Sequence, residues 1–190
     1  VPTEDNLLMI ASVGRNAGLD LRLLQTLPAA AADTLLDQAS KVDVAAMKIA
    51  QIWRAPRQDT FPGSRRPGSL QIVFCDLGTP HPDRWNVYDA LRDALVERGL
   101  DQGRIRFVHE AKNDDAKGRL FAQCRAGDVD VLIGSTAKMG VGTNIQTRAI
   151  ALHHLDCPWR PADVEQREGR IIRQGNSHPE VHILRYVTEG

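Results

Sequence analysis

The chain has 190 residues, 42% apolar and 25% charged, which is enough to bury the core of one α/β unit with additions. Its 24 basic and 24 acidic residues cancel, which excludes a global field able to hold nucleic acid non-specifically, so any such contact has to be local. Cys75, Cys124 and Cys157 are odd in number, far apart and without a CxxC, so they read as buried thiols in a reducing compartment, and with no leader pattern and no apolar run of membrane-spanning length the chain reads as cytoplasmic.

In chain order, residues 1–69 form an N-terminal extension and linker. Leu7 to Leu24 reads as helical and carries no evident chemistry, and an alanine-rich patch follows at Ala29 to Ala32. Val42, Ala45, Ala46, Ile49, Ile52 and Trp53 recur at the spacing of a helix over about 41–54 that packs one face. The stretch PRQDTFPGSRRPGS then reads as a surface linker. From residue 70 strands and helices alternate. Leu70 to Phe74 is an apolar strand, Val87, Tyr88, Leu91 and Leu95 mark a helix stopped at Gly99, and Ile105 to Val108 is a second strand. Ala116, Leu120 and Cys124 mark a helix ended by Gly127, and strands follow at Val131 to Ile133, Ala149 to Leu155 and Val181 to Val187. The alternation predicts an α/β fold with a parallel sheet of about five or six strands and helices on both faces.

Two loops carry the chemistry. The strand at Val131 runs into GSTAKMGVGTN, where small residues let backbone N–H groups approach phosphate and Ser135 and Thr136 add hydroxyl donors. The strand at Ala149 runs through Asp156, Cys157 and Pro158 into WRPADVEQREGRIIRQGN. Pro161 suits the first turn of a helix and Gly175 its stop, which predicts a helix with Gln166, Arg170 and Arg173 in one arc and Val164, Ile171 and Ile172 on the packed side. Two guanidiniums a turn apart suit a polyphosphate, because each planar fork binds oxygens in fixed geometry and keeps its charge. Both loops leave one edge of a parallel sheet, where α/β folds place ligands. His153 and His154 are adjacent on a strand, point to opposite faces and cannot chelate one metal, so no metal site is predicted. Trp159 is predicted to wedge its loop onto the following helix.

Taken together these loops resemble the motifs of superfamily 2 helicases and translocases, in the second RecA-like lobe and most closely of the Swi/Snf type. Ser135 and Thr136 open the fifth motif of that group, and Gly140, Gly142, Thr143 and Asn144 close it. Gln166, Arg170 and Arg173 stand seven, eleven and fourteen residues after Trp159, the spacing of the sixth motif, and Leu70 to Phe74 with DLGTPHPD resembles the fourth. The wording HHLDCPWRPADVEQREGRIIRQGN is also similar to large helicase-methyltransferase proteins of phages and mobile elements. Asn176 stands where remodelling enzymes have Gln, and Lys138 and Met139 replace small residues.

The resemblance implies a RecA-like lobe over 70–190 and an ATP-dependent motor acting on duplex DNA. It implies arginine fingers at Arg170 and Arg173, with Gln166 positioning them or the γ-phosphate. Gly140, Gly142 and Asn144 would face the nucleotide. Ser135, Thr136, Lys138 and His109 would meet the tracked strand. The chain has no GxxxxGK[ST] loop and no DExx pair after a strand, so ATP and Mg are expected mainly on a first RecA-like lobe upstream in the same polypeptide, and this fragment alone is expected to be inactive. A start without Met and an end at VTEG fit an excised part. Two other readings stay open: a non-catalytic DNA-docking or scaffold module of a large DNA-modification protein, and an unrelated doubly wound enzyme binding a nucleotide or sugar phosphate.

Overall fold

The computed structural model describes residues 7–24, 40–55, 57–139 and 144–188. Five strands, β1 (Leu70–Phe74), β2 (Ile105–Phe107), β3 (Val131–Gly134), β4 (Ala149–His154) and β5 (His182–Arg185), form one sheet in the order β2-β3-β1-β4-β5. Every pairing is parallel. A parallel sheet needs both faces covered, and the pattern of β1, buried at all five positions, meets that demand. The fold is a parallel α/β sheet with helices on both faces and a helical N-terminal part.

Alternation along β1 divides the core. Leu70, Ile72 and Phe74 join a cluster with Leu120, Phe121 and Cys124 of α4 (Asp114–Ala126), together with Met139 and Ile171. Val73 and Cys75 face the other way, into a cluster built from α2 (Lys41–Arg54) and α3 (Val87–Glu97). α2 therefore belongs to the packed core, and Leu19, the last residue of α1 (Leu7–Leu19), is buried with it. Local signals set the helix ends. Ser40 and Asp43 form a capping box at α2, and Asn86 and Asn113 cap α3 and α4 through their side-chain oxygens. Gly127 ends α4 at φ 91°, and a Cβ there would stand 2.6 Å from Ser64 Oγ and 2.8 Å from the Arg66 carbonyl.

Several polar groups inside the core are matched. Gln71 Nε2 donates to the Ile49 carbonyl at 2.9 Å, leaving its Oε1 to accept from His153 Nε2 at 3.0 Å, and the Tyr186 hydroxyl then donates to His153 Nδ1 at 2.8 Å. This chain of bonds fixes His153 as the neutral Nε2–H tautomer. Arg148, 1% exposed, donates to the carbonyls of Cys124 and Gly68. Trp53 Nε1 donates to Asp130 Oδ2 at 3.0 Å, which ties α2 to the entrance of β3.

Some expectations are corrected. Val108 lies in a short 3-10 turn beyond β2. Cys75 and Cys124 are buried, but Cys157 is exposed, because it sits in the loop after β4. The helix expected from Pro161 to Gly175 stops early: α6 spans Pro161–Glu168, with Pro161 in its first turn and Gly169 at its C-cap. A glycine weakens helix continuation by about 1 kcal/mol, and a tighter turn beyond it lets Ile171 enter the core.

Candidate functional site at the carboxyl edge of the sheet

The carboxyl ends of β1, β3 and β4 deliver Asp76, Ser135 with Thr136, and Asp156 to one place. Arg167, on the inner side of α6 and 0% exposed, joins them. Its Nη2 lies 2.7 Å from Asp76 Oδ2 and 3.1 Å from Asp156 Oδ1, its Nε donates to Thr136 Oγ1 at 2.8 Å, and its Nη1 donates to the Asp156 carbonyl at 3.1 Å. Asp76 in turn accepts from the Thr136 amide and hydroxyl at 2.6 and 2.9 Å. Asp156 Oδ2 accepts from the amides of Asp76 and Leu77 at 2.5 and 3.0 Å. One guanidinium thus holds three loops in register. Burial raises the Asp156 carboxyl above its ordinary value, the Arg167 charge opposes that rise, and the Asp76 charge adds to it.

His154 lies beside this brace, its Nδ1 3.4 Å from Arg167 Nη1 and its Nε2 3.2 Å from Glu168 Oε1. Burial and the neighbouring Arg167 charge lower its pKa. His153 faces the opposite side of the sheet, onto Gln71 and Tyr186, as strand alternation requires. Among the described residues no group of three His, Cys, Asp or Glu is placed to hold a metal ion.

The residues singled out from the sequence divide as follows. Gln166 is exposed on α6, Arg170 is 7% exposed just beyond it, and Arg173 is exposed in the turn that follows. The predicted single helical arc therefore does not exist; a turn carries the two arginines, and Ile172 is 59% exposed instead of packed. Arg170 and Arg173 still lie close enough that, after burial, the charge of Arg173 lowers the pKa of Arg170. Ser135 is buried, and its hydroxyl accepts from the Lys138 amide at 3.3 Å. Lys138 is exposed on the one-turn helix α5 (Thr136–Met139), and its charge adds to the burial that lowers the His109 pKa. The His109 ring stands edge-on to Tyr88, 5.1 Å between centroids. Asn144 is exposed, and its carbonyl accepts from Arg125 at 3.1 Å. Gly140 and Gly142 lie outside the described residues. Trp159 is not a wedge: it is 63% exposed, with the Arg15 guanidinium 5.0 Å from its ring centroid.

A family model described as the helicase conserved C-terminal domain matches residues 64–175. The chain belongs to this family.

Within this helicase C-terminal domain, similarity to individual proteins is partial. "Defense against restriction protein B" of Escherichia phage P1 is 32% identical over 72 residues, 38% of this chain, so the chain spans about 3% of the length of the curated relative it matches. The structure of S. cerevisiae Dbp5 bound to RNA and ADP BeF3 superposes with a TM-score of 0.51 at 19% identity, covering 78% of this chain and 32% of that one. The E. coli DEAD-box protein SrmB, bound to the regulator of ribonuclease activity A, gives 0.49 at 18%, covering 77% and 69%. At 19% identity the likeness to Dbp5 is one of fold. Within the domain, Arg167 is the residue that sequence reasoning missed. Its one available signal was position: it stands beside Gln166, on the side of α6 turned towards the strand ends.

Proposed function

We propose that the chain is the second motor lobe of an ATP-dependent translocase of Swi/Snf type that moves along duplex DNA, completed by a first RecA-like lobe upstream in the same polypeptide. The observation that carries this reading is the match of residues 64–175 to the helicase conserved C-terminal domain, with Arg170 and Arg173 following a helix locked to the strand ends by Arg167. Guanidinium forks keep their charge and bind phosphate oxygens in fixed geometry, so two arginines three residues apart suit a polyphosphate.

In this reading the motor lobe is 70–190 and residues 1–69 are its extension. Mg-ATP, held mainly on the partner lobe, supplies the phosphoryl group whose transfer drives the motor. Arg170 and Arg173 act as fingers on charge developing at the β and γ phosphates, and Gln166 orients them. Asn144 faces the nucleotide, the role that the resemblance also implies for Gly140 and Gly142. Ser135, Lys138 and His109 face the tracked strand. The Thr136 hydroxyl already donates to Asp76 and accepts from Arg167, so Thr136 serves that contact by fixing the loop that presents its neighbours.

The test is ATP turnover by the full parent protein with and without duplex DNA. DNA should stimulate hydrolysis, and Arg173→Ala should lower it by about a thousandfold while the protein stays folded. Turnover indifferent to Arg173 would sink the motor reading in favour of a docking module.

A further inference from the structure

The segment that carries Arg173 leaves α6 at Gly169 and runs to Asn176 through turns and bends, with no helix or strand of its own. Two carboxamides hold it. Asn176 Nδ2 donates to the Ala149 carbonyl, at the start of β4, at 2.9 Å and to the Ile171 carbonyl at 3.3 Å, while its Oδ1 accepts from the His178 amide at 2.9 Å. Gln146, in the short 3-10 turn before β4, donates from Nε2 to the Gln174 carbonyl at 3.3 Å. A carboxamide nitrogen has two hydrogens, and both of those on Asn176 are spent on joining the segment to the strand.

The carbonyl that Asn176 reaches also sets the backbone of Arg173. The Arg173 amide donates to the same Ile171 oxygen at 3.0 Å, which closes a three-residue turn centred on Ile172. Ile171 is 1% exposed, so the core holds its side chain while Asn176 holds its carbonyl. Gln146 grips the carbonyl on the far side of Arg173, so the backbone of that residue is bracketed by bonds anchored at the entrance to β4. Arg170 is 7% exposed and is confined by burial, whereas Arg173 is exposed and depends on its backbone for direction.

We propose that Asn176, assisted by Gln146, is a positioning residue for Arg173: it fixes the turn to β4 and so presets the guanidinium for the phosphates of a nucleoside triphosphate. Neither carboxamide touches the nucleotide, and the effect runs through Arg173. The proposal rests on the motor reading above. It adds that the finger is set in place before the nucleotide arrives, which spares the reorganisation that a loose side chain would have to undergo.

The experiment measures DNA-stimulated ATP turnover by the full parent protein as wild type, Asn176→Ala, Gln146→Met, Arg173→Ala, the double variant Arg173→Ala/Asn176→Ala and the control Ser177→Ala. Melting temperature and amide exchange at residues 171–174 are recorded for each. Asn176→Ala should lower kcat by about tenfold to a hundredfold, with the KM for ATP and the affinity for duplex DNA within about twofold of wild type. Gln146→Met, close in volume, should act in the same direction and less, and Ser177→Ala should leave turnover as it was. Exchange at the turn should quicken in Asn176→Ala at an unchanged melting temperature. The double variant should be no slower than Arg173→Ala, because a residue that acts through Arg173 has nothing left to position.

Two losses that multiply in the double variant overturn the proposal, as does unaltered exchange at the turn or a fall in kcat that follows a fall in melting temperature. If Asn176→Ala does not fold, Gln146→Met decides: full turnover with the turn loosened overturns the proposal. A wild-type parent no faster than Arg173→Ala sinks the motor reading itself and this proposal with it, an outcome told apart from the others by that single variant.

Discussion

Arg167 shows how much one side chain can carry. Its guanidinium compensates two carboxylates, one of them 2% exposed, and meets the Thr136 hydroxyl as well. Removing one partner of a buried pair costs about 3–5 kcal/mol, because the remaining charge is stranded. Arg167→Leu should therefore lower stability by that order in urea melts. Asp156 alone would then be left with a raised pKa and no opposing charge. A carboxyl whose folded pKa lies above its unfolded value stabilises the fold at low pH and loses that contribution as the pH rises through the folded pKa. The deficit of Arg167→Leu should accordingly be smaller at pH 4 than at pH 7, and adding Asp156→Asn should recover part of it at neutral pH. A deficit that does not change with pH would rule out the stranded carboxylate as its cause. Spacing singled out Arg170 and Arg173 but not Arg167, since a sequence shows an arginine's charge and not the two strand-end carboxylates that meet it.

Among the elements, strands and capped helices were the most legible. The strand Leu70–Phe74 and the helix Lys41–Arg54 fall where their apolar periods place them, because burial and caps are local, additive signals. The arginine segment was misread for the converse reason. Pro161 and Gly175 bracketed it as one helix, while Gly169 and the pull of Ile171 into the core, a tertiary effect, ended it at Glu168. Gly127 tests the same logic at the end of α4. Its positive φ and the contacts awaiting a Cβ at Ser64 and Arg66 leave an added methyl no room. Gly127→Ala should cost upwards of about 1 kcal/mol in denaturant melts and shift the linker before β1. A neutral result would mean that the linker yields freely.

At the scale of the whole molecule, balanced charge leaves stability governed by a few buried groups. Burial pushes the His153 pKa down to about 3, helped by His154 and His182, and His154 is lowered with it. A histidine whose folded pKa is depressed contributes stability that is complete above its unfolded value, near 6.5, and is lost as the pH falls towards the folded one. The domain should therefore lose up to about 1.4 kcal/mol per pH unit for each such histidine between pH 6 and 4. Replacing His153 by Phe should remove about one proton from that slope, measured as urea stability against pH. An unchanged slope would place the titration elsewhere. Among the described residues no helix is long and apolar enough to cross a membrane.

The bonded line from the Ile49 carbonyl through Gln71 and His153 to Tyr186 has a consequence for how the sheet assembles. Its strands are largely aliphatic at their centre, and a parallel pair displaced by two residues would still present apolar side chains to the same faces. Such a slip gains nearly the same burial, so hydrophobicity discriminates weakly against it. The polar line does not tolerate it: moving β4 by one pleat would carry His153 away from Gln71 and Tyr186 and leave three polar groups stranded in the core. These few hydrogen bonds act as the key that admits one alignment among several greasy near-equivalents, and so keep the strand ends level for the residues mounted on them.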